Sequence, residues 1–458
     1  MRAQVAAPIV EAGVITRDQA KALADRVLAM SQGEQTRVNI ASSSGGNTRF
    51  ADASITTSGD IANASVTVTV TLGRRRASSS TNALDDASLR RTVALATSLA
   101  RVAPEDSELM PELGPQAHAA VGAFMNATAD LTPEGRAAAV KRAVEAATST
   151  GRPAGNVFVA GFLDTNASAI AVATSNGLFA YHRATSAEFS TTSRTPDGTG
   201  SGWSSAGSRD WRRIDPARIG RIAAEKAVAS RSPQPFEAGM HTAILEPLAV
   251  ADLIPLLAAA LNARSTDEGR SAFSKPGGGT RLGEKVVDER VTLYSDPADA
   301  DLLASPFDQE GLPVQRMLWI EKGILRNLSY SRFWAQKQGK APTGGGVMTG
   351  GLALAGGTKT TEQVIADTER GVLVTRFWYI RALDPRTVLQ TGLTRDGVFL
   401  VENGKISRSL KNFRWNESPL LMLNWLEEIG RPEPVGAGLM MPALRIRGFN
   451  FTSSSDAV

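Results

Sequence analysis

Apolar and polar residues along the chain follow two different spacings, which predict different elements. In residues 65–72, valine or leucine alternates with threonine, a pattern typical of an antiparallel strand with one buried face. In residues 16–30, apolar residues return on one face at helical spacing, and Thr16 suits the position just before a helix. A helix and a strand are therefore predicted near the N terminus.

Four further helices are predicted from the same helical spacing of apolar residues. The first begins at Asp85 or Asp86, either of which suits the N-cap, and ends before Pro104. The others cover residues 133–148, 215–229 and 248–262. The last of them is almost entirely apolar, so it is expected to be buried in a core.

Short strands and polar connections are predicted between these helices. Residues 37–41 are a strand candidate, and the polar, glycine-containing residues 42–47 predict a turn after it. Residues 157–163, 169–174 and 177–183 are predicted as short strands joined by tight turns. Residues 190–208 are rich in serine, threonine and glycine and predict an exposed excursion, and residues 230–235 are typical of a linker.

From about residue 235 onward the chain is predicted to be mostly β. Strand candidates cover residues 291–294, 317–321, 372–380 and 398–401, and Asn403-Gly404 between apolar residues is a strong hairpin signal. Helices and strands are segregated rather than alternating, which indicates an α+β fold with mostly antiparallel sheet. The expected architecture has N-terminal layers of long helices and antiparallel strands, and a barrel-like C-terminal domain with one buried helix. The predicted domains are residues 1–150, 151–234 and 235–458.

Composition restricts the partners and the location. The 50 Lys and Arg residues exceed the 46 Asp and Glu residues by only four over 458 residues, which argues against nucleic acid as the partner. The chain has no Cys, so disulfides, thiolate zinc sites and a Cys nucleophile are excluded. The first 30 residues are interrupted by charges, unlike a signal peptide, and apolar runs are too short for a membrane span. We therefore expect a cytoplasmic protein.

Candidate metal ligands are few. The three histidines, His118, His182 and His241, are far apart in sequence, and neither HExxH nor HExxxH is present. A helical zinc site needs two imidazoles about one turn apart. Local motifs therefore predict no metal ligand and no catalytic residue, and a metal site assembled from dispersed residues stays open as an alternative.

Two polar segments near the C terminus, residues 391–397 and 411–418, combine charges with turn formers or aromatic residues. Residues 394–397 are predicted to form a turn. Segments of this kind serve structural roles, line peptide or partner surfaces, or bind nucleic acid. The residues predicted to form a substrate or partner surface are Arg395, Asp396, Asn412, Arg414, Asn416 and Glu417.

Short segments spread over nearly the whole chain resemble the TldD/PmbA family, whose members were once described as modulators of DNA gyrase. In chain order, the segments are Asn47-Thr48-Arg49-Phe50, residues 65–72, Leu99-Ala100-Arg101, Ser175-Asn176-Gly177, residues 219–227, residues 330–335, residues 402–406, Asn416-Glu417-Ser418, residues 442–445 and residues 449–453. Each segment is short, and their common order carries the resemblance.

The resemblance implies one of two kinds of family member. TldD-like members are similar to zinc metallopeptidases and carry HExxxH on a helix, whereas PmbA-like (TldE) members share the fold without this motif. The helix that corresponds to the motif here is 248–262, where residues 251–261 read ADLIPLLAAAL. Because this stretch contains neither His nor Glu, the resemblance implies a PmbA-like chain without catalytic or metal-binding residues.

The resemblance also implies partners. A PmbA-like chain is expected to pair with a TldD-like metallopeptidase subunit that holds the zinc, or with itself as a dimer, and to act on unfolded or extended peptides. The chain itself is then expected to hold no cofactor. Two alternatives stay open: an active metallopeptidase with a dispersed metal site, and a binding module for DNA or a topoisomerase.

Overall fold

The computed structural model describes residues 13–152, 156–436 and 438–455. The helices are α1 (Arg17–Met30), α2 (Asp86–Val102), α3 (Asn126–Ala129), α4 (Pro133–Gly151), α5 (Pro216–Ala229), α6 (Pro247–Ala259), α7 (Ala263–Asp267), α8 (Arg332–Gln338), α9 (Thr361–Ala366) and α10 (Pro419–Met422). The strands before residue 235 are β1 (Gln35–Ala51), β2 (Ser54–Leu72), β3 (Arg75–Thr81), β4 (Phe158–Thr174), β5 (Phe179–Arg194) and β6 (Ser201–Ser208).

The later strands belong to a second sheet. They are β7 (Gly239–Leu245), β8 (Leu293–Ser295), β9 (Met317–Glu321), β10 (Ile324–Leu325), β11 (Leu352–Leu354), β12 (Arg370–Asp384), β13 (Leu389–Glu402), β14 (Lys405–Ser409), β15 (Asn412–Glu417), β16 (Leu426–Val435) and β17 (Leu439–Ser455). The predicted α+β class is therefore confirmed.

The first sheet is antiparallel, with the strand order β3-β2-β1-β4-β5-β6. Its helices begin where the sequence predicts, because polar side chains accept the first free N–H groups: Thr16 forms a capping box with Gln19, and Asp85 accepts from Ser88. Helices α1 and α2 bury one part of a sheet face, and α4 and α5 bury the next part of the same face. The opposite face packs against the C-terminal part of the chain.

Strands from both sides of residue 151 share this sheet, since β1 pairs with β4 along its length. The division into three domains stays a prediction.

The second sheet has eleven strands and contains a closed ring. Strand β7 pairs with β12, β12 with β13, β13 with β15, β15 with β17, and β17 returns to β7. Closure leaves these strands without a free edge over the paired positions. Helix α6 packs on β12 and β17 and is buried in the largest core cluster. The barrel-like domain with one buried helix is thus confirmed.

The predicted turn at residues 42–47 is wrong, because these residues lie in the middle of β1. The two glycines serve close packing rather than chain reversal. A Cβ on Gly45 would lie 2.2 Å from the carbonyl oxygen of Thr165 in β4, and one on Gly46 would lie 2.1 Å from the guanidinium of Arg136. Glycine inside a strand often marks such a close approach.

The predicted exposed excursion at residues 190–208 is also wrong. Strand β5 continues to Arg194, the Thr191 and Ser193 side chains are fully buried, and β6 follows. Small residues are needed here because α5 lies directly on this region: a Cβ on Gly202 would lie 2.2 Å from the carbonyl oxygen of Ala223. Likewise, the two short strands predicted at residues 157–163 and 169–174 are one continuous strand, β4, which begins at Phe158.

Residues 394–397 form a bulge inside β13 instead of the predicted turn. Asp396 has a φ of 55° and Gly397 a φ of 117°, and the pairing with β12 shifts between Val374 and Arg376. The Thr375 hydroxyl donates across this bulge to the carbonyl groups of residues 395–397. A bulge redirects the side chains on a strand. The predicted Asn403-Gly404 hairpin is confirmed, with both residues at positive φ between β13 and β14.

Candidate functional site

A groove of about 720 Å³ lies between the two sheets. It is lined by residues 203–208 of β6, by the side of α5, by the first residues of α6, and by parts of α9 and β16. The groove therefore lies where the end strand of the first sheet meets the helix that the sequence predicts to be buried. Its lining contains both polar and apolar side chains.

Strand β6 is the end strand of its sheet. Over the described ranges, its one strand partner is β5. In an antiparallel strand, alternate residues point their backbone N–H and C=O groups away from the partner, so an end strand presents unpaired groups on its outer side. Because residues 203–208 line the groove, an extended chain placed there can add to this sheet through backbone hydrogen bonds.

An ion pair lies in the groove where α5 meets α6. The Lys226 ammonium lies 2.6 Å from the Glu246 carboxylate, with side chains 18% and 17% exposed. Glu246 is the residue before α6, and its carboxylate faces Lys226 rather than capping the helix N–H groups. Around this pair the groove carries both Arg213 and Asp301, which pair with each other, so its charge is mixed.

Helix α6 contributes an apolar interior face rather than metal ligands. Its one charged residue is Asp252, whose carboxylate accepts a 2.8 Å hydrogen bond from the Phe377 N–H of β12. Burial raises the pKa of Asp252 from 3.8 to about 6, opposed by this hydrogen bond and by the charge of Arg376. Asp252 is half-buried, and the fully buried positions of α6 are alanine, valine, leucine and isoleucine. These residues do not fit a zinc ion, because apolar side chains cannot offset its desolvation.

The three histidines have separate surroundings. A ring nitrogen of His118 lies 2.8 Å from the Gly311 carbonyl oxygen, and one of His241 lies 2.8 Å from the Glu237 carbonyl oxygen. His182 is buried in β5, where burial and the nearby Arg209 guanidinium lower its pKa to about 4. Within residues 13–152, 156–436 and 438–455, no three His, Asp or Glu side chains are arranged to hold a metal ion.

The six predicted surface residues fall into two groups. Arg395, Arg414 and Asn416 lie on the outward face of β13 and β15, because the alternating residues of β15, Phe413 and Trp415, fill the core. Arg414 is exposed, Arg395 and Asn416 are half-buried. The structure therefore brings these three to one face of the barrel.

The other three have contacts that hold the fold together. Asp396 is 4% exposed and accepts from the Ser201 hydroxyl at 2.6 Å, which links β13 to β6. Asn412 accepts from the Thr394 hydroxyl at 3.0 Å. Glu417 accepts from two backbone N–H groups, and burial raises its pKa. Their role in a substrate or partner surface stays a prediction.

The groove residues were not identified from sequence. Trp203 lies in a serine- and glycine-rich stretch. Lys226 lies in α5, whereas Glu246 is the residue before α6, so the two are not neighbours in sequence. One signal was available: Trp203 is a large aromatic residue in a segment otherwise built of small residues, which is unusual for an exposed loop.

Helices of the described residues are all too short or too polar to cross a membrane.

Two family models match: the PmbA/TldA metallopeptidase central domain over residues 127–231 and the PmbA/TldA metallopeptidase C-terminal domain over residues 238–453. Together these matches cover more than half of the chain, including the groove and α6.

Curated relatives are similar over shorter regions. A metalloprotease from Methanothermobacter thermautotrophicus is 24% identical over 236 residues, which is 49% of this chain and 50% of the relative. A metalloprotease from Archaeoglobus fulgidus is 41% identical over 59 residues, 13% of this chain and 14% of the relative. The chain thus matches half or less of the length of these relatives.

Solved structures show the same fold over nearly the whole chain. A Thermotoga maritima protein, described as a candidate modulator of a DNA gyrase, has a TM-score of 0.84 at 19% identity and covers 94% of this chain and 99% of its own. TldE from Thermococcus kodakarensis has a TM-score of 0.83 at 17% identity, covering 95% and 100%. The fold, the two matched domains and the relatives agree: this chain belongs to the TldD/PmbA family of metallopeptidase-related proteins.

Proposed function

We propose that this chain is a metal-free, non-catalytic subunit, or a homologue of one, in a TldD/TldE-type metallopeptidase complex that processes unfolded or extended peptides. In this proposal a TldD-like partner supplies the zinc and the chemistry. The cysteine-free sequence is consistent with the cytoplasm, which we propose as the location. Fold alone does not assign function, so the proposal depends on the residues of α6 and of the groove.

The observation that carries the proposal is the composition of α6. In TldD-like members, the resemblance places HExxxH on the corresponding helix. Here its buried positions are apolar, Pro255 interrupts the helix interior, and the Asp252 carboxylate is occupied by the Phe377 N–H. A zinc-bound water needs at least three protein ligands. A helix with this composition supports a structural role for this region.

The groove supports a role in holding peptide. An end strand offers hydrogen bonds to any extended chain regardless of its sequence, which suits a subunit that accepts unfolded substrates. The mixed charges around the Lys226–Glu246 pair leave the groove without strong preference for either sign. We propose that β6 holds the backbone of the peptide while the partner subunit cleaves it.

Cleavage assays test whether the partner subunit, rather than this chain, cleaves the peptide. The purified chain alone is expected to leave an unfolded peptide intact, with or without added zinc, whereas a mixture with an HExxxH-bearing family member is expected to cleave it. Zinc-dependent cleavage by the chain alone would support a dispersed metal site instead. Cleavage by the chain alone in the presence of a chelator would contradict the proposal.

A groove variant tests the peptide contact. Ser205→Arg places a large side chain in the groove and is expected to weaken binding of a labelled unfolded peptide to the chain about tenfold, a loss of about 1.4 kcal/mol. Ser80→Arg, on the opposite end strand β3, is the matched control and is expected to bind like the parent. Equal binding by both variants would show that the peptide is held elsewhere.

A further inference from the structure

The outward face of the barrel next to the groove carries an unusual set of side chains. The strand register pairs Trp378 of β12 with Leu393 of β13, and Leu393 in turn with Arg414 of β15. In the next row, Arg381 lies beside Thr391. The members of this set, which we call the basic–aromatic face, are Arg376, Trp378, Arg381, Arg395 and Arg414.

Contacts between rings and guanidinium groups connect this face to the groove. The Arg376 guanidinium lies 4.5 Å from the ring centre of Trp203, which lines the groove, and 5.5 Å from that of Trp378. The Arg395 guanidinium lies 4.7 Å from the same Trp378 ring. These distances are typical of cation–π contacts. The basic–aromatic face therefore adjoins the groove at Trp203.

This face has a surplus of positive charge. Asp396 is nearly fully buried and compensates Arg376 and Arg395, at 3.3 Å and 3.8 Å. Arg381 and Arg414 are exposed, and neither forms an ion pair with a carboxylate of the described residues. Trp378 is 45% exposed and is separated from Arg414 by Leu393 of β13, and the Arg381 guanidinium lies 4.3 Å from the ring centre of Tyr379. Exposed tryptophan beside unpaired arginine is typical of binding surfaces.

We infer that the basic–aromatic face binds an acidic portion of the extended peptide whose backbone lies on β6. This inference rests on the proposed function and adds a substrate class to it: unfolded peptides with carboxylates next to the segment held in the groove. Arg381 and Arg414 bind the carboxylates, and Trp378 contacts the apolar parts of the same peptide.

The distribution of charge favours an acidic peptide on this face over a second copy of the chain or a nucleic acid. A second copy of the chain, related by a two-fold axis at this face, would place arginine against arginine, which is unfavourable. A nucleic acid continuing into the groove would meet carboxylates there, including Glu246, Asp301 and Glu433. An acidic peptide meets arginine on the face and mixed charges in the groove.

Binding of three labelled, unstructured peptides to the full chain tests the inference. The peptides share length and apolar residues and carry acidic, neutral or basic residues beside a common central segment. The acidic peptide is expected to bind about tenfold more tightly than the neutral one at low salt, and the difference is expected to shrink with added salt. The double variant Arg381→Gln and Arg414→Gln is expected to bind both equally.

Arg447→Gln is the matched control, because Arg447 also lies over an exposed tryptophan, Trp425, but away from this face. This variant is expected to keep the preference for the acidic peptide. If all three peptides bind the parent chain equally, the inference is wrong while the proposed function stands. If no peptide binds, the peptide-holding part of the proposed function fails as well.

Two further outcomes would overturn the inference. Tighter binding of single-stranded DNA than of the acidic peptide, lost in the double variant, would assign the face to nucleic acid. A change of oligomeric state in the double variant, measured by analytical ultracentrifugation without peptide, would assign it to contacts between copies.

Discussion

Replacing Gly45 with valine is expected to destabilise the protein by about 2–3 kcal/mol, the usual cost of forcing extra atoms into a packed region. The reason is backbone contact. A Cβ at this position would lie 2.2 Å from the Thr165 carbonyl oxygen and 3.1 Å from the Asn166 Cα, both in the adjacent strand β4. Backbone atoms cannot move away as a flexible side chain can, so β1 and β4 would have to separate locally.

Gly59→Val in β2 is the matched control for Gly45→Val. Gly59 belongs to the same hairpin, and a Cβ there meets nothing within 4 Å. Because valine favours strands and restricts the unfolded chain, this variant is expected to be neutral or slightly stabilising. Urea unfolding followed by circular dichroism gives the comparison. Equal stabilities for the two variants would contradict the close contact between β1 and β4.

Substituting Asp252 with asparagine is expected to remove a pH-dependent loss of stability. Burial raises the pKa of Asp252 from 3.8 to about 6 in the folded chain. An acid with a raised pKa binds its proton more tightly when folded, so its contribution is fully present below the unfolded pKa and is lost as pH rises through about 6. From about pH 4.5 to about pH 7.5, the parent should lose about 2 kcal/mol relative to Asp252→Asn.

The difference in stability between the parent and Asp252→Asn reports the titration of Asp252 alone, because the two proteins share all their other carboxyl groups. Asparagine keeps an oxygen that can accept from the Phe377 N–H, so the link between α6 and β12 is expected to survive. Asp52→Asn, which removes a carboxyl group from the exposed turn between β1 and β2, is the control variant. A pH-independent difference for Asp252→Asn would show that this carboxyl group is not buried as described.

Elements fixed by local chemistry were predictable from the sequence. The start of α1 follows from Thr16, whose hydroxyl accepts from the Gln19 N–H, and the β13–β14 hairpin follows from Asn403-Gly404, both at positive φ. Such features depend on a few neighbouring residues. The apolar helix at residues 248–262 was likewise expected in a core, where α6 lies.

Elements fixed by distant contacts were not predictable. The glycines at residues 45–46 and the small residues of β6 have a composition typical of turns, yet they lie in strands. These residues are small because β4, Arg136 and α5 approach them closely. The sequence does not reveal which backbone will approach a glycine. In the same way, the bulge at Asp396 in β13 depends on the hydroxyl of Thr375 in β12, which donates to the Asp396 carbonyl group.

Only the part of the candidate surface that comes from neighbouring polar segments was predictable from the sequence. Arg395, Arg414 and Asn416 were identified from two polar segments close in sequence, and they do share a face. Trp378 and Arg381 belong to the same face but come from β12, whose register with β13 brings them there. Register between strands depends on pairing and bulges that a single sequence does not show.

The metal content of the untagged, purified chain tests the central claim most directly. After dialysis against trace zinc, elemental analysis is expected to find less than about a tenth of an equivalent, because α6 offers apolar side chains where a zinc site needs three or four ligands. Close to one tightly held equivalent would contradict the metal-free account. His118, His182 and His241 would then be the first residues to substitute.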